Sequence, residues 1–256
     1  MKRLAAAFMI CLVAAPLGAE IKPEDRRSDF GQMSPETRAM QADDTANPGM
    51  LAVLDGEALW SAKAGSAGRS CADCHGDATV SMKGVAARYP AWNAARSAPM
   101  DLAGQIELCR TERQGAPAWR PENSERLAMT AFVAHQSRGM PITPAGGAGM
   151  TAARERGGRL FQTRLGQLDL SCAACHDQNW GKRLGGTPIP QAHPVGYPIY
   201  RLEWQSVGSL QRRFRNCMTG VRAEPYPYDT PELIELEAFL MERASGLAIE
   251  TPAVRP

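Results

Sequence analysis

Aromatic residues make up only 6% of the 256-residue chain, and histidine occurs just four times. Nor is there an excess of one charge: 29 Lys+Arg against 27 Asp+Glu leaves +2. Lys2 and Arg3 account for that surplus, so a chain that lost its N-terminus would be neutral. Such a balance argues against a nucleic-acid-binding protein, which needs a strong basic excess. The longest apolar run, Leu4–Ala15, is too short to span a bilayer. Alternating strand patterns are missing, and so is any βαβ pattern, which disfavours a thioredoxin-like reading of the cysteines. Lysine is scarce as well. Arginine supplies 24 of the basic residues, and its planar fork suits fixed recognition of oxyanions.

The N-terminus MKRLAAAFMICLVAAPLGAE has the parts of a secretory signal: a basic start, a short apolar run and small residues at Gly18 and Ala19. Cleavage near residue 19 would discard Cys11 and release a periplasmic chain with no membrane anchor. Residues 20–49 follow as a polar, irregular extension.

Six cysteines remain, four of them in Cys71-Ala-Asp-Cys74-His75 and Cys172-Ala-Ala-Cys175-His176. C-x-x-C-H is the attachment site of c-type haem: the thiols, here Cys71, Cys74, Cys172 and Cys175, add to the vinyl groups, and the adjacent His75 or His176 binds iron from below. Two such motifs predict two covalent haem c groups. The motifs lie too far apart for a zinc ribbon.

The chain also repeats itself. Gly56, Leu59, Trp60, Gly65 and Ser70 precede the first motif; Gly157, Leu160, Phe161, Gly166 and Ser171 precede the second at a constant offset of 101. Each motif is followed by an apolar triplet at helical spacing, Leu102, Ile106, Cys109 and Leu210, Phe214, Cys217. A closing helix ends each half, with Ala131-Phe132 and Ala238-Phe239 at matching places. These patterns predict an all-α chain of two tandem cytochrome-c-like domains, 50–142 and 150–256, joined by a Pro/Gly-rich linker at 143–149.

Each iron needs a sixth ligand or an open site. None of the 12 methionines repeats convincingly, and His135 and His193 have no counterparts. What repeats is cysteine, Cys109 and Cys217. An oxidising compartment would permit a disulfide between them. Matching positions in a duplication favour thiolate ligation, each cysteine serving its own haem. The halves differ around these residues: Arg212, Arg213 and Arg215 in the second stand where the first has Gly104, Gln105 and Glu107. Arg213 lies one helical turn before Cys217, where it can lower a thiol pKa and bind an anion. The second half is therefore expected to carry thiol chemistry, and the first electron transfer.

Both haem motifs, both later cysteines and the segment RRFRNCMTGVRAEPY resemble the SoxA family, dihaem cytochromes of bacterial thiosulfate-oxidising systems. The resemblance spans the whole chain after the signal. It implies His/Cys ligation of both irons, a persulfide on Cys217 and a substrate-binding role for Arg213. It also implies a monohaem cytochrome partner, SoxX, and a carrier protein, SoxYZ. Thiosulfate would be coupled to a carrier cysteine as an oxidative L-cysteine S-thiosulfotransferase, with electrons passing to a downstream cytochrome c. A dihaem electron-transfer protein with no sulfur chemistry is the alternative, and an open-site dihaem peroxidase a more distant one.

Overall fold

The computed structural model describes residues 21–256, so the segment expected to be a secretory signal lies outside the described residues. Among these residues no helix is long and apolar enough to cross a membrane.

Each half is built on a pair of crossing helices. In the first half α2 (Met50–Ser61) packs on α6 (Ser124–His135); in the second α7 (Ala148–Gln162) packs on α10 (Pro231–Arg243). The repeated glycines mark both crossings. A Cβ on Gly56 would lie 2.2 Å from the Ala128 carbonyl oxygen, and one on Gly157 1.9 Å from that of Glu235. Only glycine lets the two backbones approach this closely. Trp60 and Phe161 follow at matching positions and anchor the two apolar cores.

The short haem-motif helices α3 (Ala72–His75) and α8 (Cys172–His176) each have a serine at their entry, Ser70 one residue before the α3 N-cap and Ser171 as the α8 N-cap. The backbone N–H of Asp73 donates to Ser70 Oγ at 3.1 Å, and that of Ala174 to Ser171 Oγ at 3.1 Å. After α3 comes the one-turn helix α4 (Ala78–Ser81). The apolar triplets lie on α5 (Leu102–Cys109) and α9 (Leu210–Gly220), capped by Asp101 and Ser209.

Small strands accompany this mainly helical plan. The hairpin β1 (Ala91–Asn93) with β2 (Ala98–Met100) recurs in the second half as β5 (Ile199–Arg201) with β6 (Ser206–Gly208). Between them, β3 (Arg183–Leu184) and β4 (Thr187–Pro188) form a tiny hairpin within a longer loop of the second half. At two or three residues each, these strands are too short to show period-two alternation, which is why the sequence carried no strand signal.

The halves meet through a reciprocal bridge. Ile142 N–H donates to Leu247 O and Gly139 N–H to Ile249 O, at 2.8 Å each. Gly246 N–H returns to Ile142 O at 3.0 Å, and Ile249 N–H to Met140 O at 2.9 Å. Ile142, Val195, Met241 and Ile249 fill the space behind it. A buried polar seam adds to this contact. Arg126 on α6 grips Asp229 with two hydrogen bonds, 2.8 and 2.7 Å, and Gln211 on α9 donates to Asp101 at 3.0 Å.

The N-terminal extension is more ordered than its composition implies. It contains α1 (Pro35–Ala42), whose Gln41 accepts from the backbone N–H of Val254 at 3.0 Å. That residue opens the terminal strand β7 (Val254–Arg255), which pairs in parallel with β5. Arg255 in turn holds Asp29 at 2.6 Å and Glu250 at 2.8 Å. Both ends of the described chain thus brace the second hairpin.

Candidate functional site

The second haem motif sits in a closely built pocket. The His176 ring packs against Phe161 with 6.4 Å between centroids. Its Nδ1 lies 2.7 Å from the Pro190 carbonyl oxygen. A carbonyl can only accept, so Nδ1 carries the proton and Nε2 keeps its lone pair for a metal. Burial pushes the His176 pKa down, which also favours the neutral ring. The neighbouring Asp177 pairs with Arg243, whose Nε donates to Gln191 O at 3.0 Å and whose guanidinium covers Phe161. None of Cys172, Cys175 and Cys217 is tied up in a disulfide. Burial pushes the Cys172 thiol up to about 12, with the nearby Cys217 as the second cause.

Across the pocket α9 presents Leu210, Phe214 and Cys217, as the triplet predicts. Arg213 stands one turn before Cys217. Among the described residues its side chain makes no hydrogen bond and no ion pair. Burial works against its charge, yet Cys217, Tyr197, Glu203 and Asp29 outweigh it, and the pKa lies above the ordinary arginine value. Burial pushes the Tyr197 phenol up to about 12. A half-buried guanidinium with its donors free, one turn from a thiol, can bind an anion.

The other two arginines of α9 are engaged elsewhere. Arg212 lies 4.2 Å over the Trp204 ring, and Arg215 lies 4.5 Å over Tyr228 and donates to Tyr226 O. They are half-buried, not a freely solvated helix face. Arg183 sits exposed on β3.

The first haem motif is more open: Cys74 and His75 are exposed. Trp60 lies 5.8 Å from the His75 ring and donates to Gly76 O at 3.0 Å. No hydrogen bond holds the His75 ring among the described residues. Burial pushes Cys71 up to about 11, with Cys109 as the second cause. Gln105, one turn before Cys109, donates to its Sγ at 3.6 Å and accepts from Asn93 Nδ2 at 3.4 Å. All six cysteines of the described chain are free, so Cys109 and Cys217 are not joined as a disulfide. His135 is more than a surface residue: its Nδ1 lies 3.1 Å from Thr251 O of the other half. His193 contacts Arg27 O at 2.8 Å through Nδ1 and buries its other ring nitrogen.

Each half thus gathers a C-x-x-C-H turn, an aromatic floor and a facing cysteine inside crossed helices. That combination is a cytochrome c domain, and the donors fit a covalently held haem c. The SoxA/TsdA cytochrome c domain matches residues 55–142 and 156–249. The L-cysteine S-thiosulfotransferase subunit SoxA of Pseudaminobacter salicylatoxidans is 40% identical over 96% of this chain and 86% of its own. The Rhodovulum sulfidophilum subunit is 35% identical over 91% and 81%. The crystal structure of SoxXA from P. pantotrophus superposes with a TM-score of 0.86 at 31% identity, covering 90% of this chain and 86% of that one. The chain belongs to the SoxA/TsdA cytochrome c family.

One residue escaped the sequence reading. Arg201 on β5 is buried beside this pocket, close enough to feel the charges of both Arg213 and Cys217. The repeat would have exposed it, since it matches Asn93 across the two hairpins.

Proposed function

We propose that the protein is an oxidative L-cysteine S-thiosulfotransferase whose chemistry takes place at the second haem motif. The observation that carries this reading is Arg213, unpaired one turn from Cys217, where the first half has a hydrogen-bonded glutamine. Two covalent haem c groups are assigned, one on Cys71 and Cys74, the other on Cys172 and Cys175. His75 with Cys109 would ligate the first iron, and His176 with Cys217 the second. When bound, the haems supply one-electron acceptors.

Cys217 is assigned as the persulfide carrier. Arg213 holds the sulfonate of thiosulfate and directs its outer sulfur at the terminal persulfide sulfur. Joining the two as Cys217–S–S–S–SO₃⁻ forms one S–S bond and releases two electrons. A carrier thiolate then attacks the sulfur bonded directly to –SO₃⁻, and the Cys217 persulfide is the leaving group. The product is carrier–S–S–SO₃⁻, and Cys217 returns to its persulfide, as in ordinary thiol–disulfide exchange. Tyr197 and Phe214 keep the pocket apolar around the reacting sulfurs.

A monohaem SoxX partner, a SoxYZ carrier, a downstream cytochrome c and a periplasmic location complete the reading. The likeness to SoxA subunits of L-cysteine S-thiosulfotransferase supports the activity, and the likeness to SoxXA supports the SoxX partner. The test is thiosulfate-dependent reduction of a cytochrome acceptor, with carrier present, by the heterodimer. Cys217→Ala abolishes that reduction and changes only the second haem. Unchanged turnover would refute the assignment.

A further inference from the structure

We propose that Arg201 is a second substrate-binding guanidinium, closing on the sulfonate from the hairpin while Arg213 holds it from α9. The proposal rests on the functional reading above and extends it to a residue that lies outside the helix carrying Cys217.

Arg201 is costly to bury as it stands. Its side chain is 10% exposed, and its Nε is buried with no hydrogen-bond partner among the described residues. Its ion pair is a loose one, 3.3 Å to a Glu203 carboxylate that is half in solvent. Burial and the charge of Arg213 both push its pKa below the ordinary arginine value. Two guanidiniums are donors only and cannot satisfy each other. Two neighbouring guanidiniums, one buried with a free donor and one half-buried, can share an anion, and a sulfonate offers three acceptor oxygens to two forks.

The first half shows what this place looks like without that demand. Both hairpins follow a Tyr–Pro pair, and their registers match: Asn93 faces Ala98, and Arg201 faces Ser206. Asn93 and Gln105 form a neutral amide pair at 3.4 Å. The equivalent positions in the second half are Arg201 and Arg213. The two positions that form a neutral amide pair in the first half are therefore both arginine in the second. The first half also carries a haem motif, yet it has asparagine at this place, so a haem motif alone does not call for arginine here.

The test compares Arg201→Asn and Arg201→Lys with the unsubstituted SoxX heterodimer. KM for thiosulfate, haem content, and the midpoint potential and spectrum of the second haem are measured together. Arg201→Asn should raise KM about 10-fold or more, the loss of one charge-assisted contact, at unchanged haem content and potential. Arg201→Lys should recover part of the loss, which shows that the effect is one of charge and not of folding. A wild-type KM with a shifted potential would assign Arg201 to the haem carboxylates and overturn the proposal. So would wild-type values throughout. Failure of the functional reading would look different, because the unsubstituted protein would then not turn over thiosulfate at all.

Discussion

The two halves share a scaffold and differ in electrostatics. Glycine crossings, aromatic floors, haem turns with a serine at their entry and facing cysteines recur in both. At the first cysteine the neighbours are neutral amides that satisfy one another. At the second they are two arginines that cannot. The second pocket is also tighter: His176 is fixed by the Pro190 carbonyl, while His75 is exposed. Pro190 lies in a loop that is longer in the second half, between the haem turn and its hairpin. Duplication gave this chain two C-x-x-C-H motifs in matching scaffolds, and a few local changes set the electrostatics of the second apart. Repeated features therefore report on folding and haem attachment, whereas unshared ones report on chemistry.

The largest expected effect separates the two cysteines. Cys217→Ala should lower thiosulfate turnover by about 1,000-fold or more, the cost of losing a nucleophile. Cys109→Ala should change the first haem's spectrum and leave substantial turnover. Equal losses would erase the division of labour. The glycine crossings test the shared scaffold instead. Gly56→Ala and Gly157→Ala should each destabilise by about 3 kcal/mol, since the added methyl meets a carbonyl oxygen that cannot retreat. Thermal unfolding of both variants would measure it, and a large asymmetry would show that the crossings are not equivalent.

The seam between the halves comes next. Arg126→Met should cost about 1–3 kcal/mol in denaturant unfolding, because it leaves Asp229 unpaired near the buried Asp101. Asp229 is partly exposed, which limits the penalty. The smallest effect is expected at Arg212. It stacks on Trp204, so Arg212→Lys should alter turnover less than about threefold. A loss as large as that at Arg213 would make the whole helix, and not one residue, the anion site.

Much of this was legible in the sequence because covalent chemistry and helical periodicity leave strong marks. The C-x-x-C-H turns, the triplets ending in Cys109 and Cys217, and the placement of Arg213 are local patterns that a helix converts directly into geometry. Arg201 was not legible in the same way. It sits on a three-residue strand, and its approach to Arg213 depends on hairpin register, not on spacing along a helix. The order in the N-terminal extension was hidden for a related reason. Asp29 and Gln41 look like solvated polar residues until Arg255 arrives from the other end of the chain. Long-range polar pairs of this kind have no signature in a local window.

The most direct test of the central claim is Arg213→Gln, which places the first half's residue beside Cys217. Thiosulfate-dependent reduction of a cytochrome acceptor would be measured with carrier present, and the absorption spectra of both haems would be recorded on the same preparation. Losing a charge-assisted contact to a bound anion costs about 2–4 kcal/mol, so turnover should fall by about 30- to 1,000-fold with both spectra intact. Arg213→Lys should restore only part of it. Wild-type turnover in Arg213→Gln would contradict the account, because the residue that most clearly distinguishes the two halves would then play no part in the reaction.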